Sequence, residues 1–142
     1  MIKQISVFLA NQPGRIAEVT RVLADSGIDI IALSIADGET YGTLRMITDD
    51  YSKTIKVLKE GNFITKVTDV LGIEIPNRPG ALSEVLTLFG QREISIEYIY
   101  AFVGTHGNNA RVIIRVNDNE KALAVLDGSG IKTIAEEEVY KI

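Results

Sequence analysis

Apolar and polar positions alternate from the start of the chain. Ile5, Val7 and Leu9 fall on one face and Gln4 and Ser6 on the other, the period of a half-buried strand over residues 2–10. After Asn11-Gln12-Pro13-Gly14 the period lengthens. Ile16, Val19, Val22 and Leu23 recur at helical spacing over residues 15–25, and Ser26-Gly27 ends that helix. Residues 28–36 are β-branched and apolar on both faces, which reads as a strand covered on both sides. Asp37-Gly38-Glu39-Thr40 then makes a hairpin turn into a third strand, 41–48. A second helix over 50–60 buries Ile55, Val57 and Leu58, Gly61-Asn62 stops it, and 63–69 is a fourth strand. The predicted order is βαββαβ.

The same order follows again: strand 70–76, helix 80–91, strand 94–103, turn 104–109, strand 110–116, helix 118–127 and strand 133–140. Asn11, Pro13, Gly14 and Glu18 match Asn77, Pro79, Gly80 and Glu84 at an offset of 66. Beyond the hairpin, Asp50, Lys53, Val57 and Leu58 match Asp118, Lys121, Val125 and Leu126 at an offset of 68. The chain is a duplication, 1–69 and 70–142, whose second copy has a hairpin two residues longer (68 − 66). Thr68-Asp69-Val70 joins the copies without a linker. Short right-handed connections put each copy into an antiparallel sheet of order 4-1-3-2 with its helices on one face, an α+β, ferredoxin-like unit. The second and fourth strands are exposed edges that invite pairing. Side-by-side pairing of the two second strands would make one eight-stranded sheet, with each Asn-x-Pro-Gly loop facing the start of the other copy's second strand.

Hydrophobic residues make up 46% of the chain at a mean hydropathy of +0.15, more apolar material than one copy hides, which predicts a homodimer. A net charge of −4 without a basic run excludes nucleic acid as a partner. With no Cys there are neither disulfides nor thiolate metal sites, and the expected compartment is a reducing cytoplasm. The strand pattern begins at once without a signal peptide, and no apolar run approaches the roughly 20 residues of a membrane span.

Two βαββαβ units, each with Asn-x-Pro-Gly-x-(Ile/Leu) between first strand and first helix, resemble a tandem ACT domain protein over essentially the whole chain. The run Ile96-Glu97-Tyr98-Ile99-Tyr100-Ala101-Phe102 is similar to the second strand of the small stand-alone double ACT proteins. The resemblance implies a regulatory protein, without cofactor, that binds an amino acid or similar metabolite at interfaces between ACT units and acts on a metabolic enzyme. The serine-sensing ACT domains of phosphoglycerate dehydrogenases use the loop Asn, here Asn11 and Asn77, and an Asn at the start of the second strand. That second position is Asp29 in one copy and Ser95 in the other, and the family His two residues before the loop Asn falls on Leu9 and Ile75. These departures speak against serine and leave the site architecture in place.

The ligand-binding candidates are therefore Asn11, Pro13, Gly14, Arg15 and Ile16 with Asp29, and Asn77, Pro79, Gly80, Ala81 and Leu82 with Ser95, Glu97 and Tyr98. Each has a plainer reading beside the chemical one. Gly14 and Gly80 admit a carboxylate to a helix start, or simply fit the turn. Asp29 holds an ammonium group, or is a solvated strand start. Arg15 meets a carboxylate, or is solvated. Glu97, mid-strand among apolar residues, needs a cation, a network or water. Tyr98, Tyr100 and Phe102 share a face with Ile94 and Ile96 as core or interface, with polar ends in reach of a ligand. His106 is a mobile turn residue, and Glu136-Glu137-Glu138 is a solvated edge. A lone His with no Cys makes no metal site, and no nucleophile, base or phosphate-binding glycine pattern predicts catalysis. The readings that remain are a metabolite sensor and a ligand-independent interaction module or detached regulatory subunit.

Overall fold

The computed structural model describes residues 1–36, 38–104 and 106–140, so Asp37 and Thr105 of the two expected turns lie outside the described residues. Its elements are β1 (Ile2–Ala10), α1 (Arg15–Asp25), β2 (Ile30–Ala36), β3 (Tyr41–Thr48), α2 (Tyr51–Glu60), β4 (Ile64–Pro76), α3 (Ala81–Gln91), β5 (Ile96–Ala101), β6 (Asn109–Val116), α4 (Asn119–Asp127), β7 (Lys132–Thr133) and α5 (Glu136–Val139). Contacts divide the chain into an N-terminal unit, Lys3–Thr68 with Glu137–Ile142, and a C-terminal unit, Asp69–Glu136 with Met1–Ile2.

Both units show the order 4-1-3-2. In the N-terminal unit β1 lies between β4 and β3, with β2 outermost. In the C-terminal unit β4 lies between β7 and β6, with β5 outermost. β2 pairs with β3 and β5 with β6, so each second strand keeps a free edge. Alternation places Ile5, Val7 and Leu9 against Leu44 and Met46, under Val19 and Leu23 of α1 and Leu58 of α2. The other core repeats this arrangement: Leu71, Ile73, Ile75, Val112 and Ile114 under Ala81, Val85 and Phe89 of α3 and Ala122 and Leu126 of α4. No helix among the described residues is long and apolar enough to cross a membrane.

A β-bulge stands at the same place in both copies. Ile30 pairs with Thr48 but Ala32 with Ile47, and Ile96 pairs with Val116 but Tyr98 with Arg115. Ile31 and Glu97 are the extra residues, and each reverses which face the following side chains take. Ile94 and Ile96 pack in the core, and beyond the bulge Ile99 takes that face. Tyr98 and Tyr100 therefore do not share a face with Ile94 and Ile96. They lie on the opposite side, their rings stacked at 6.4 Å. Glu97 is half exposed and accepts a 3.3 Å bond from Nε of Arg115, so a protein cation meets its charge.

The expected last strand, 133–140, is also different. β7 stops after two residues, and Glu136-Glu137-Glu138 enters α5. Contiguous glutamates suit a helical turn better than a sheet edge, and Val139 of that turn is fully buried.

The larger surprise lies on the face of the C-terminal sheet away from its helices. Glu74, between the core residues Ile73 and Ile75, sits opposite Arg111 on β6 and Lys132 on β7. Its side chain is 9% exposed. It accepts from Arg111 Nε and Asn109 Nδ2 at 3.0 Å each, with Lys132 Nζ at 4.0 Å. Arg111 Nη2 also lies 3.1 Å from His106 Nε2. His106 is thus tied into a network rather than being a mobile turn residue. Burial alone would raise the carboxyl's pKa. The bonds from Arg111 and Asn109, with the charges of Lys132 and Arg111, outweigh burial and hold it below its ordinary 4.5.

A depressed native pKa stabilises the fold above the unfolded value, and that contribution is lost as pH falls through the native one. The melting temperature should therefore fall as pH is lowered from 4.5, with part of the slope due to Glu74. Glu74→Gln should show a lower melting temperature at neutral pH and a shallower acid slope, read by circular dichroism. An unchanged slope would remove Glu74 as its source.

Candidate functional site

In each unit a strand ends at an Asn and the chain turns through Pro-Gly into the first helix. Gly14 and Gly80 make that turn with φ of 87° and 90°, a left-handed backbone open to Gly at little cost. Neither helix start receives a side-chain cap. The N–H groups of Ile16 and Ala17, and of Leu82 and Ser83, have no acceptor among the described residues. α2 and α4 are built otherwise: Asp50 and Asp118 accept from the N–H groups of Lys53 and Lys121 at 3.1 Å. A cap contributes about 0.5–2 kcal/mol. All four starts leave two N–H groups without an acceptor among the described residues, but only the two that follow the repeated motif lack a side-chain acceptor at the third helical N–H, that of Ala17 and of Ser83. Such N–H groups, at the positive end of the helix dipole, favour an anion by about 0.3–1 kcal/mol at an exposed site.

The N-terminal loop is crowded. Asn11 donates its backbone N–H to the carbonyl of Thr40 at 3.1 Å, and its Nδ2 to the carbonyls of Gly38 and Glu39. Arg15 pairs with Glu18 at 2.6 Å and lies 5.3 Å from the ring centre of Phe63. Both arginine contacts bear on its expected role, since a carboxylate and a ring already occupy it. A cleft of about 60 Å³ remains between Asn11, Gln12, Arg15, Ile16, Ile35 and Gly42.

The C-terminal loop is more open. Asn77 donates its backbone N–H to the carbonyl of Asn108 at 3.1 Å, and its carboxamide makes no hydrogen bond among the described residues. Arg78 reaches across the turn to both carboxylate oxygens of Glu84 at 3.1 Å. Ala81, the counterpart of Arg15, is a buried core residue, whereas Leu82 is 36% exposed beside the loop.

Asp29 and Ser95 are not brought to these loops within their own units. Asp29 exchanges bonds with Asp49, and Ser95 with Asn117, at the end of the sheet away from Asn11 and Asn77. Tyr98 stacks on Tyr100 on the face away from the helices. The residues that sequence reasoning passed over are Arg78, Gly42, Ile35 and the group Glu74, Asn109 and Arg111. One signal pointed to the last of these, the hairpin two residues longer in the second copy.

The family model for an ACT domain pair matches residues 1–142. ACT domain-containing protein ACR3 of Arabidopsis thaliana is 26% identical over 160 residues, covering 94% of this chain and 35% of that protein, so the chain spans about a third of its length. The crystal structure of protein BT0572 from Bacteroides thetaiotaomicron is similar at 40% identity and a TM-score of 0.92, covering 99% of this chain and 96% of that one. The ligand-free regulatory subunit of aspartate kinase from Thermus thermophilus shares the fold, with a TM-score of 0.64 at 18% identity over 89% of this chain and 90% of its own. Matched over residues 1–142, the chain belongs to the ACT domain pair family.

Proposed function

We propose that this ACT domain pair is a non-catalytic cytoplasmic sensor of an amino acid or a closely related small carboxylate. The observation that carries the reading is the contrast among helix starts. The two that follow Asn-x-Pro-Gly have no side-chain acceptor for the N–H of Ala17 or Ser83, while the corresponding N–H groups of α2 and α4 are taken by Asp50 and Asp118. A carboxylate placed there would satisfy donors that the chain leaves unpaired, with the loop Asn beside it to bond a neighbouring polar group. The signal is a change in the population of protein arrangements, which requires that the effector bind one of them better. The receiver is a metabolic enzyme.

A second copy completes the active form in this proposal. The free edge of β2 exposes Leu33 at 38% and Ile35 at 53% on the face of Met46 and Leu44, beside the 39% exposed Ile16. An edge carrying apolar side chains is a surface for pairing.

Three outcomes are expected. A thermal-shift screen of the common amino acids should find one that raises the melting temperature, since an effector at a hundred times its Kd stabilises by about 2.7 kcal/mol. No shift with any of them would remove the amino-acid sensor reading. Gly80→Ala should weaken that binding at least tenfold, about 1.4 kcal/mol. A Cβ there lies 3.9 Å from Arg78 Nη1, so the effect would come from the left-handed backbone, which costs an L residue about 1–2 kcal/mol, rather than from a clash inside the unit. Equal affinity of wild type and Gly80→Ala, measured by calorimetry, would move the site elsewhere. Light scattering should give a dimer or larger assembly, and Leu33→Glu with Ile35→Glu should shift it toward monomer. A monomeric wild type would overturn the pairing.

A further inference from the structure

We infer that the groove between α3 and α4 of the C-terminal unit is a second ligand site, one for a small carboxylate carried on a short apolar chain. It stands independently of the sensor reading above. The groove lies at the far end of α3 from Gly80 and uses no group of either Asn-x-Pro-Gly loop.

The groove follows from how the two copies diverged. At the offsets of 66 and 68, each of its positions has a counterpart in the N-terminal unit. Lys56 and Glu60 of α2 become Ala124 and Gly128, and α4 has 9 residues where α2 has 10, with Gly128 as its C-cap. Ser26, the C-cap of α1, becomes Arg92, the C-cap of α3. Lys53 and Val57 are kept in kind as Lys121 and Val125. Two long side chains are removed, one of them a carboxylate, and one cation is added. All of these changes fall on one groove.

The space left is about 430 Å³, inside the roughly 300–1,000 Å³ range of small-molecule pockets. Half-buried Leu88 and Val125, with Ala124, make its floor, and Arg92 and Lys121 stand exposed at its rim. Neither cation has an ion pair or a side-chain hydrogen bond among the described residues, and no carboxylate lines the groove. The cleft on the other side of α4 is lined by Asp127, so the sign of charge differs between two sides of one helix. Two unpaired cations call for an anion, and the planar fork of Arg92 suits a carboxylate. The carbon chain behind that carboxylate lies on Leu88, Ala124 and Val125, where each buried methylene adds affinity. An ammonium on the next carbon, as in an α-amino acid, has no carboxylate to meet here. The groove therefore favours an acid without an amino group.

The test is an NMR titration of the labelled full chain with sodium butanoate, sodium hexanoate and the uncharged hexanamide. Hexanoate should give saturable shifts at the Leu88 and Val125 methyl groups and the Arg92 and Ser129 amides, with a Kd below about 10 mM. Butanoate, two methylenes shorter, should bind about four- to sixteenfold more weakly. Hexanamide should bind about tenfold more weakly or worse, and Arg92→Ala and Lys121→Ala should each weaken hexanoate about threefold or more. Ala124→Lys with Gly128→Glu restores the residues of the N-terminal copy and should abolish the shifts. A Cβ at Gly128 meets only ordinary contacts at 3.8 and 3.9 Å, and φ there is −78°, so this variant closes the groove without straining the turn. Equal binding of hexanoate and hexanamide by the wild type would overturn the carboxylate assignment, and that comparison needs no variant to fold. Shifts that do not saturate, or that saturate on other elements, would overturn the site. Binding of an acidic amphipathic peptide at these residues in place of hexanoate would overturn the small-molecule assignment and make the groove a protein-docking face.

Discussion

At Gly14 and Gly80 the backbone turns through φ of 87° and 90°, a conformation that costs an L residue about 1–2 kcal/mol, and each unit is arranged around that turn. The turn ends a strand whose odd-numbered side chains have just entered the core, and it begins a helix whose first buried residue, Val19 or Ala81, must enter the same core. Because Gly occupies the cap position, no side chain is available there to accept the first N–H groups. The donors that make the loop a binding candidate thus follow directly from the residue that makes the connection possible.

An uncapped helix forgoes about 1 kcal/mol, and the cores show why two of them are tolerated. Phe89 of α3 is fully buried, and losing a side chain of that kind costs about 3–5 kcal/mol. Burial of Val85, Phe89, Val19 and Leu23 fixes both helices far more strongly than a cap would. The loops are also held from the other side, since the backbone N–H of each loop Asn bonds a hairpin carbonyl, Thr40 or Asn108. A rigid loop with unsatisfied donors is therefore compatible with a stable unit. Duplication then allowed the copies to diverge: one hairpin is closed by Asn11, the other by a buried ion pair to Glu74. Leaving that carboxylate unpaired would be strongly destabilising, and Arg111, Asn109 and Lys132 all converge on it.

The duplicated order, the 4-1-3-2 arrangement and the Gly-entered helices were legible in the sequence because each rests on local periodicity or on a motif written twice. The bulges at Ile31 and Glu97 were not. A bulge exists only relative to a ladder partner, and an apolar run such as Ile28 to Ala36 reads the same with or without one. Tyr98 was placed on the wrong face for that reason. Glu74 was missed because its partners lie 35 and 37 residues away, and a single carboxylate between Ile73 and Ile75 looks like an ordinary outward strand position. The role of Asn11 depends on where the carbonyls of Gly38 and Glu39 fall, which no spacing rule gives. At the C-terminus, Val139 and Tyr140 suggested a strand, but the preceding glutamates and the early end of β7 favoured a helical turn.

The central claim is that an effector carboxylate occupies the free N–H groups of a Gly-entered helix start. The most direct measurement is an NMR titration of the labelled full chain, following backbone amides as an amino acid that stabilises the protein is added. The account predicts the largest, saturable shifts at Gly80, Leu82 and Ser83 and at the Asn77 side-chain amide, with the Asp-capped starts at Lys53 and Lys121 unmoved. Saturable shifts centred on other elements, with Leu82 and Ser83 unperturbed, would contradict it.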